Sequence, residues 1–206
     1  MALDLALAVA ALLVATALRP WRAVAANGPP WPWFAWWAAL PLMWGADRYA
    51  AMPIVQPLSG AALLVLLAGW PLAMPALAAT ALVTMAMGGL DAVQALHRFV
   101  WLGAVPATLA LAGGAAVRRW LPHHLFIYIL GRGFFITMLA VAAAGALALG
   151  LTGAPVGTDP ADVLLARWLS ATGEAFITGM LVAIFVAFRP HWLATYSDQL
   201  YLRPPA

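Results

Sequence analysis

A carboxylate stands inside one of the most apolar parts of the sequence, within GEAFITGM at 173–180. Glu174 lies near the middle of the run 163–188, which is mostly Leu, Ala, Val, Ile and Phe. Ser170 and Thr178 are four residues away on either side, so a helix would align the three polar side chains in one stripe. An ionisable group inside a membrane segment indicates a ligand, a proton carrier or a counter-ion. A structural carboxylate that fixes helix packing is the equal alternative, because burial can keep such a group neutral.

Arg132 and Tyr128 form a second pair of candidate substrate-binding residues, one helical turn apart. Gly131 and Gly133 flank Arg132 and leave room around its guanidinium. Arg132 could pair with Glu174, but the two would lie about 12 Å and about 22 Å from the same end of the bundle at about 1.5 Å per residue. These depths favour the alternative, in which Arg132 extends toward the lipid headgroups.

His97 is the last candidate binding residue and stands near the start of an apolar segment, beside Asp91, Gln94 and Arg98. A single histidine without a second ligand at a suitable spacing is a weak indication of metal. An interfacial polar cluster is therefore the preferred interpretation, and the sequence predicts no metal site. Hydrolase, zinc-protease and nucleotide-binding motifs are absent, so we expect no enzyme, and any cofactor is unknown.

The composition defines the medium in which these groups must work. The chain has 206 residues, of which 66% are hydrophobic and 8% charged, and its mean hydropathy is +0.94. Soluble domains carry about 25% charged residues, so this chain is predicted to be an integral membrane protein in contact with lipid. Cysteine is absent, which excludes disulfides and thiolate ligands. No basic surface with interleaved aromatics indicates nucleic acid.

Apolar runs predict one polytopic membrane domain, 1–206, that is all-α and has about seven transmembrane helices. The predicted helices are 2–18, 33–46, 57–69, 71–88, 92–117, 124–150 and 162–188. Prolines interrupt 57–69 and 71–88, so these two segments could instead form one kinked helix or a re-entrant pair. An interfacial tail, 189–206, follows the last helix.

Charge placement orients the predicted bundle. Six arginines would fall on one side of a seven-helix protein, namely Arg19, Arg22, Arg118, Arg119, Arg189 and Arg203. Five aspartates would fall on the other, namely Asp4, Asp47, Asp91, Asp159 and Asp162. Because positive charge marks the cytoplasmic side, we expect the N-terminus outside and the C-terminus in the cytoplasm of a bacterial inner membrane.

Two aromatic segments are expected near the membrane surfaces. NGPPWPWFAWW, 27–37, is typical of an interfacial aromatic belt, with a carbohydrate or peptide platform as the alternative. In the tail, an anchoring role competes with docking of a membrane or ATPase partner. The candidate docking residues are Arg189, Trp192, Asp198 and Tyr201.

Two stretches, HLFIYILGRGFFITMLA and GEAFITGMLVAIFVAFRPHWLATYSDQLYL, resemble a bacterial family labelled energy-coupling-factor ABC transporter permeases. That family is distantly related to the cobalt and nickel transport permeases. The residues that carry the resemblance are Phe126, Tyr128, Phe134, Phe135, Glu174, Thr178, Gly179, Met180, Arg189, Pro190, Trp192, Thr195, Asp198 and Tyr201. The resemblance implies a seven-helix fold with the N-terminus outside and a substrate-binding membrane subunit that works with ATPase and membrane partners.

The chain departs from the metal-transporting relatives where they bind metal. Those relatives begin Met-His-Ile and bind through the amine and that histidine, whereas this chain begins Met-Ala-Leu. Arg132 replaces a family asparagine, and a fixed cation disfavours a bound one. We therefore expect either an importer subunit for a small solute or ion, or a non-transporting structural or assembly subunit of a larger membrane complex.

Overall fold

Residues 1–22, 28–49, 56–155 and 157–202 are described by the computed structural model, and every regular element among them is helical. The α-helices are α1 (Ala2–Ala17), α2 (Trp31–Trp44), α3 (Ala46–Tyr49), α4 (Ala61–Ala68), α5 (Trp70–Gly88), α6 (Ala92–Arg98), α7 (Val105–Trp120), α8 (Ile136–Thr152), α9 (Pro160–Phe188) and α10 (Asp198–Tyr201). Short 3₁₀ turns cover Pro20–Arg22 and Pro190–Trp192. Arg203 lies outside the described residues.

Four helices in the described part of the chain are long and apolar enough to cross a membrane: Trp70–Gly88, Ala92–Trp120, Ile127–Thr152 and Pro160–Phe188. The prediction of an all-α membrane protein agrees with this. The prediction of seven spans does not, because α1 has 16 residues, α2 has 14 and α4 has 8. A span needs about 20 residues. The segment predicted as a span at 57–69 is therefore wrong as a crossing helix.

Helix α4 is short and sits at the centre of the bundle. It packs against α2, α5, α7 and α9, and none of its eight side chains is more than 5% exposed. Its sequence, AALLVLLA, is apolar on every face, which is the pattern of a helix surrounded by protein. Gly60 and Gly69 bracket it with φ of 65° and 83°, a backbone region in which residues with a Cβ are disfavoured. Apolar composition alone cannot distinguish such a helix from a membrane span.

Local chemistry explains where two of the long helices begin. The Asp91 carboxylate accepts a hydrogen bond from the Gln94 N–H at 2.8 Å, and the Gln94 side chain accepts one from the Asp91 N–H at 3.3 Å. This reciprocal capping box starts α6. Asp159 accepts from the Ala161 N–H at 2.8 Å and caps α9, with Pro160 in the first position.

Two π-helical segments interrupt the long helices. Phe99–Ala104 joins α6 to α7, and Ile127–Phe135 leads into α8. Such wide turns occur often at functional sites because they re-aim side chains. The second segment approaches α9 closely, since an added Cβ at Gly133 would lie 3.4 Å from the Gly179 Cα. These glycines let the backbone that carries Arg132 pack directly on α9.

The tryptophan-rich segment differs from a simple interfacial belt. Trp31 and Phe34 are exposed, but Trp36 and Trp37 are half-buried and turn inward. The Trp37 Nε1–H donates to the Ala76 carbonyl of α5 at 2.8 Å. An indole N–H can satisfy a backbone carbonyl inside an apolar bundle, so these side chains bind protein backbone as well as covering apolar surface.

Candidate functional site

The Glu174 carboxylate binds the backbone at the start of α4. Its Oε2 accepts a hydrogen bond from the Ser59 N–H at 2.6 Å, and its Oε1 accepts one from the Gly60 N–H at 2.9 Å. Glu174 is only 2% exposed. Both oxygens act as acceptors, as expected for an ionised carboxylate. A negative group at this position also compensates the partial positive charge at the N-terminal end of α4.

Two indoles complete the hydrogen bonding of the Ser59–Gly60 turn. The Trp44 Nε1–H donates to the Ser59 carbonyl at 2.8 Å, and the Trp36 Nε1–H donates to the Gly60 carbonyl at 2.9 Å. Each peptide group of this irregular, buried turn therefore has a partner. Non-helical backbone persists in a membrane protein only where such groups are satisfied by protein or water. We call Ser59, Gly60, Trp36, Trp44 and Glu174 the turn clamp.

The other members of the predicted polar stripe have different surroundings. The Ser170 hydroxyl lies 3.5 Å from the Gln56 carbonyl, at the edge of the turn that precedes α4. Thr178 is fully buried, and its hydroxyl has no hydrogen-bond partner among the described residues. The stripe faces the bundle interior as its spacing indicates, but only Glu174 makes strong contacts.

Arg132 does not pair with Glu174. Its Nη1–H donates to the Thr195 carbonyl in the tail at 3.2 Å, and the guanidinium carbon lies 5.4 Å from the centre of the Tyr128 ring. Thr195 belongs to the segment that covers the C-terminal end of α4, where the Ala194 N–H donates to the Leu67 carbonyl at 3.3 Å. Arg132 and Glu174 thus lie near opposite ends of α4, which an eight-residue helix separates by about 12 Å.

The tail folds back onto the bundle. The Tyr128 hydroxyl and the Thr195 hydroxyl are 2.8 Å apart, and the Tyr128 ring lies 4.9 Å from Tyr196 and 5.0 Å from Tyr201 between centroids. Burial, followed by the neighbouring Asp198 carboxylate, raises the pKa of Tyr196 to about 12. The Tyr196 hydroxyl therefore keeps its proton and stays a donor at neutral pH.

The predicted docking residues divide into two pairs. Tyr201 is buried in the tyrosine cluster, and Trp192 is half-buried with its ring 5.6 Å from Phe185. Arg189 and Asp198 are exposed. The first pair anchors the tail, whereas the second pair is accessible to another molecule.

His97 belongs to a polar cluster near the opposite end of the bundle. Its Nδ1 lies 3.3 Å from the Asp4 carboxylate, which also accepts from the Trp101 Nε1–H at 3.0 Å. Beside it, the Arg98 guanidinium binds both Asp47 oxygens, at 2.8 and 2.6 Å, and the Trp44 carbonyl. Across the described ranges, no group of three or more His, Cys, Asp or Glu could hold a metal ion.

A polar cavity of about 190 Å³ adjoins this cluster. Its polar wall consists of Asp47, Gln56, His97, Arg98 and Arg167, and Glu174 is not part of it. We call it the outer cavity. Arg167 donates to the Gly145 carbonyl through Nη1, and none of the three ion pairs in the described part of the chain involves it. An added Cβ at Gly145 would lie 2.9 Å from the Gln56 Oε1 and 3.2 Å from the Arg167 Cδ, so this glycine makes room for both side chains.

Sequence reasoning missed two sets of residues that matter here. Arg167 stands inside the apolar run of α9, and an ionisable residue in such a run is a signal that could have been read. Ser59 and Gly60 could not be found in this way. They bind Glu174 through backbone N–H groups, which every residue except proline carries.

Comparisons with known proteins leave this site without precedent, since no family model, curated protein or solved structure matches the chain.

Proposed function

We propose that this chain is the solute-binding membrane subunit of an energy-coupling-factor-type importer, the class that its sequence resembles. The outer cavity is the observation that supports this proposal. It lies between membrane helices, and its polar wall keeps hydrogen-bonding capacity in reserve. Arg167 has five N–H donors and uses one on a described residue. Gln56 is 8% exposed, and its side-chain amide makes no hydrogen bond within the described ranges.

The orientation follows from the arginines. We assign the end that carries Arg118 and Arg119 to the cytoplasm of a bacterial inner membrane, because positive residues concentrate on that side. The outer cavity adjoins the beginning of the same 29-residue helix, Ala92–Trp120, and therefore opens toward the outside. A cavity on that face is where an importer first meets its solute.

The wall of the outer cavity indicates the chemistry of the solute. Asp47 offsets the charge of Arg98 through a bidentate pair, which leaves Arg167 as the wall's uncompensated cation. The solute is therefore small and rich in hydrogen-bond acceptors, or anionic. The volume of about 190 Å³ lies below the usual range for drug-sized ligands.

Import would need further subunits. The sequence contains no phosphate-binding loop for ATP, so an ATPase partner would supply the energy. Arg189 and Asp198 are exposed on the tail at the end assigned to the cytoplasm, where such a partner would bind.

The second candidate is a non-transporting structural or assembly subunit of a larger membrane complex. One observation favours it. Glu174, the deepest carboxylate, spends both of its oxygens on the turn clamp, so it holds α4 in place instead of reading a ligand. In this case the outer cavity is a packing defect filled by water.

Native mass spectrometry of protein extracted from its own membrane in a mild detergent separates the two candidates. The importer proposal expects one small bound solute, lost in Arg167→Gln and retained in Arg48→Gln. Arg48 is the matched control because it is exposed near the same cluster, bonds Gln94 and does not line the cavity. Absence of a solute, together with stable copurification of other membrane proteins and no ATPase, would support the structural subunit and contradict import.

A further inference from the structure

A second polar cavity, of about 330 Å³, opens at the other end of the bundle. We call it the inner cavity. Its wall combines Arg118 and Gly114 of α7, Arg132 of the π-helical segment, and the tail residues Thr195, Tyr196 and Ser197. The outer and inner cavities lie near opposite ends of the same antiparallel helices, so a ligand of the inner cavity does not depend on the proposed import function.

Positive charge dominates the inner cavity. Arg118 and Arg132 both line it, and none of the residues in its wall is acidic. Neither arginine takes part in an ion pair among the described residues. Two guanidinium groups brought to one cavity repel each other unless an anion lies between them. The arrangement indicates a ligand that carries negative charge.

Arg132 is held in place by other contacts, so it is preorganised for such a ligand. It is 7% exposed and donates to the Thr195 carbonyl, while its guanidinium stacks over Tyr128. Gly114 makes this position accessible, because a Cβ there would lie 2.8 Å from Nε and 3.0 Å from Nη2. Of the five N–H donors of the guanidinium, one is used by a described residue.

The remaining wall distinguishes a phosphate group from a bare charge. Ser197 and Tyr196 add hydroxyl donors, which suit the several oxygens of a phosphate. Leu111 and Leu200 add apolar surface next to these donors. A volume of about 330 Å³ is large enough for a headgroup. Basic pockets between membrane helices on the cytoplasmic side are a known setting for anionic lipid headgroups.

We propose that the inner cavity binds the phosphate group of an anionic phospholipid, with Arg118 and Arg132 as its ligands. The lipid would bridge α7, the π-helical segment and the tail, and would thereby stabilise the tail against the bundle. The same phosphate chemistry could come from soluble phosphate, and separate measurements with lipid and with inorganic phosphate distinguish the two sources.

The test uses full-length protein, delipidated in a neutral detergent, and native mass spectrometry to count bound lipid. Dioleoylphosphatidylglycerol is the probe and dioleoylphosphatidylcholine the zwitterionic control. We expect saturable binding of one phosphatidylglycerol, about tenfold weaker in Arg118→Gln, because one charge-assisted hydrogen bond is lost. Arg119→Gln is the matched control, since Arg119 is the exposed neighbour that does not line the cavity. It should change binding less than about twofold.

Several results would overturn the proposal. Equal losses in Arg118→Gln and Arg119→Gln would mean that lipid responds to general surface charge. Equal binding of phosphatidylcholine would mean that the two arginines do not select an anion. Heat protection by inorganic phosphate that depends on Arg118, without phosphatidylglycerol binding, would reassign the cavity to a soluble phosphate. Because Arg118 lies at the end of α7 and is not buried, its substitution should leave folding intact, which circular dichroism of the variant verifies.

Discussion

The two ends of helix α4 are secured by different means. At the N-terminal end, the turn clamp concentrates the work in one charged side chain and two indoles. At the C-terminal end, the tail supplies neutral groups: the Ala194 N–H binds the Leu67 carbonyl, and the Thr195 hydroxyl lies 3.4 Å from the Leu66 carbonyl. Orphan N–H groups need an acceptor brought from elsewhere in the chain, and a carboxylate provides two at once.

This difference separates permanent structure from a connection that can change. The turn clamp joins α4 to the helices α2 and α9, whereas the C-terminal end depends on a short surface segment. A partner or lipid that moves the tail would act directly on the C-terminal end of α4. We therefore expect the largest stability effects at the turn clamp and smaller ones at the tail.

Glu174→Ala should produce the largest loss. It leaves the buried N–H groups of Ser59 and Gly60 without acceptors, which should cost about 3 kcal/mol of unfolding free energy. Glu174→Gln should cost less, about 2 kcal/mol, because one oxygen remains as an acceptor. Unfolding in mixed micelles with increasing dodecyl sulfate measures both. Asp162→Ala, at an exposed carboxylate of the same helix, is the control. A silent Glu174→Ala would refute the turn clamp.

Trp44→Phe tests the other side of the same turn. The substitution keeps an aromatic ring but removes the N–H that binds the Ser59 carbonyl, and we expect a loss of about 1–2 kcal/mol. The matched control is Trp31→Phe in the same helix, whose indole is exposed. Equal effects of the two substitutions, in the same micelle unfolding assay, would show that ring size matters and the hydrogen bond does not.

Thr195→Val probes the tail end of α4. It removes a neutral hydroxyl that contacts both Tyr128 and the Leu66 carbonyl, so a loss of about 1 kcal/mol is expected. Thr195→Ser should restore most of the stability. Combining Thr195→Val with Tyr128→Phe should give less than the sum of the single effects, by about 0.5–1 kcal/mol, because the two hydroxyls share one contact. Strict additivity would show that the tail is held by packing alone.

The smallest effects belong to the exposed tail residues. Arg189→Gln and Asp198→Asn should each change stability by less than about 0.5 kcal/mol. If these residues bind a partner, the same substitutions should weaken its copurification in mild detergent while thermal unfolding stays unchanged. A large loss of stability from either would instead place them in the anchor with Trp192 and Tyr201.

The long helices were predictable to within a few residues. Apolar runs bounded by charged or capping residues predicted 92–117, 124–150 and 162–188, and the helices run Ala92–Trp120, Ile127–Thr152 and Pro160–Phe188. The same criterion failed at 57–69. An apolar stretch is equally suited to lipid and to a protein interior, so composition could not show that α4 is enclosed by its neighbours.

The candidate site divides in the same way. The sequence by itself determined that this is a helical membrane protein and that Glu174, Arg132 and His97 are unusual within it, since an ionisable residue in an apolar run is visible without a structure. Only the tertiary structure decided their partners. Glu174 binds a backbone turn 115 residues away, and Arg132 binds the tail. Backbone N–H and C=O groups occur at nearly every residue, so no sequence pattern marks the ones that a folded chain brings to a buried charge.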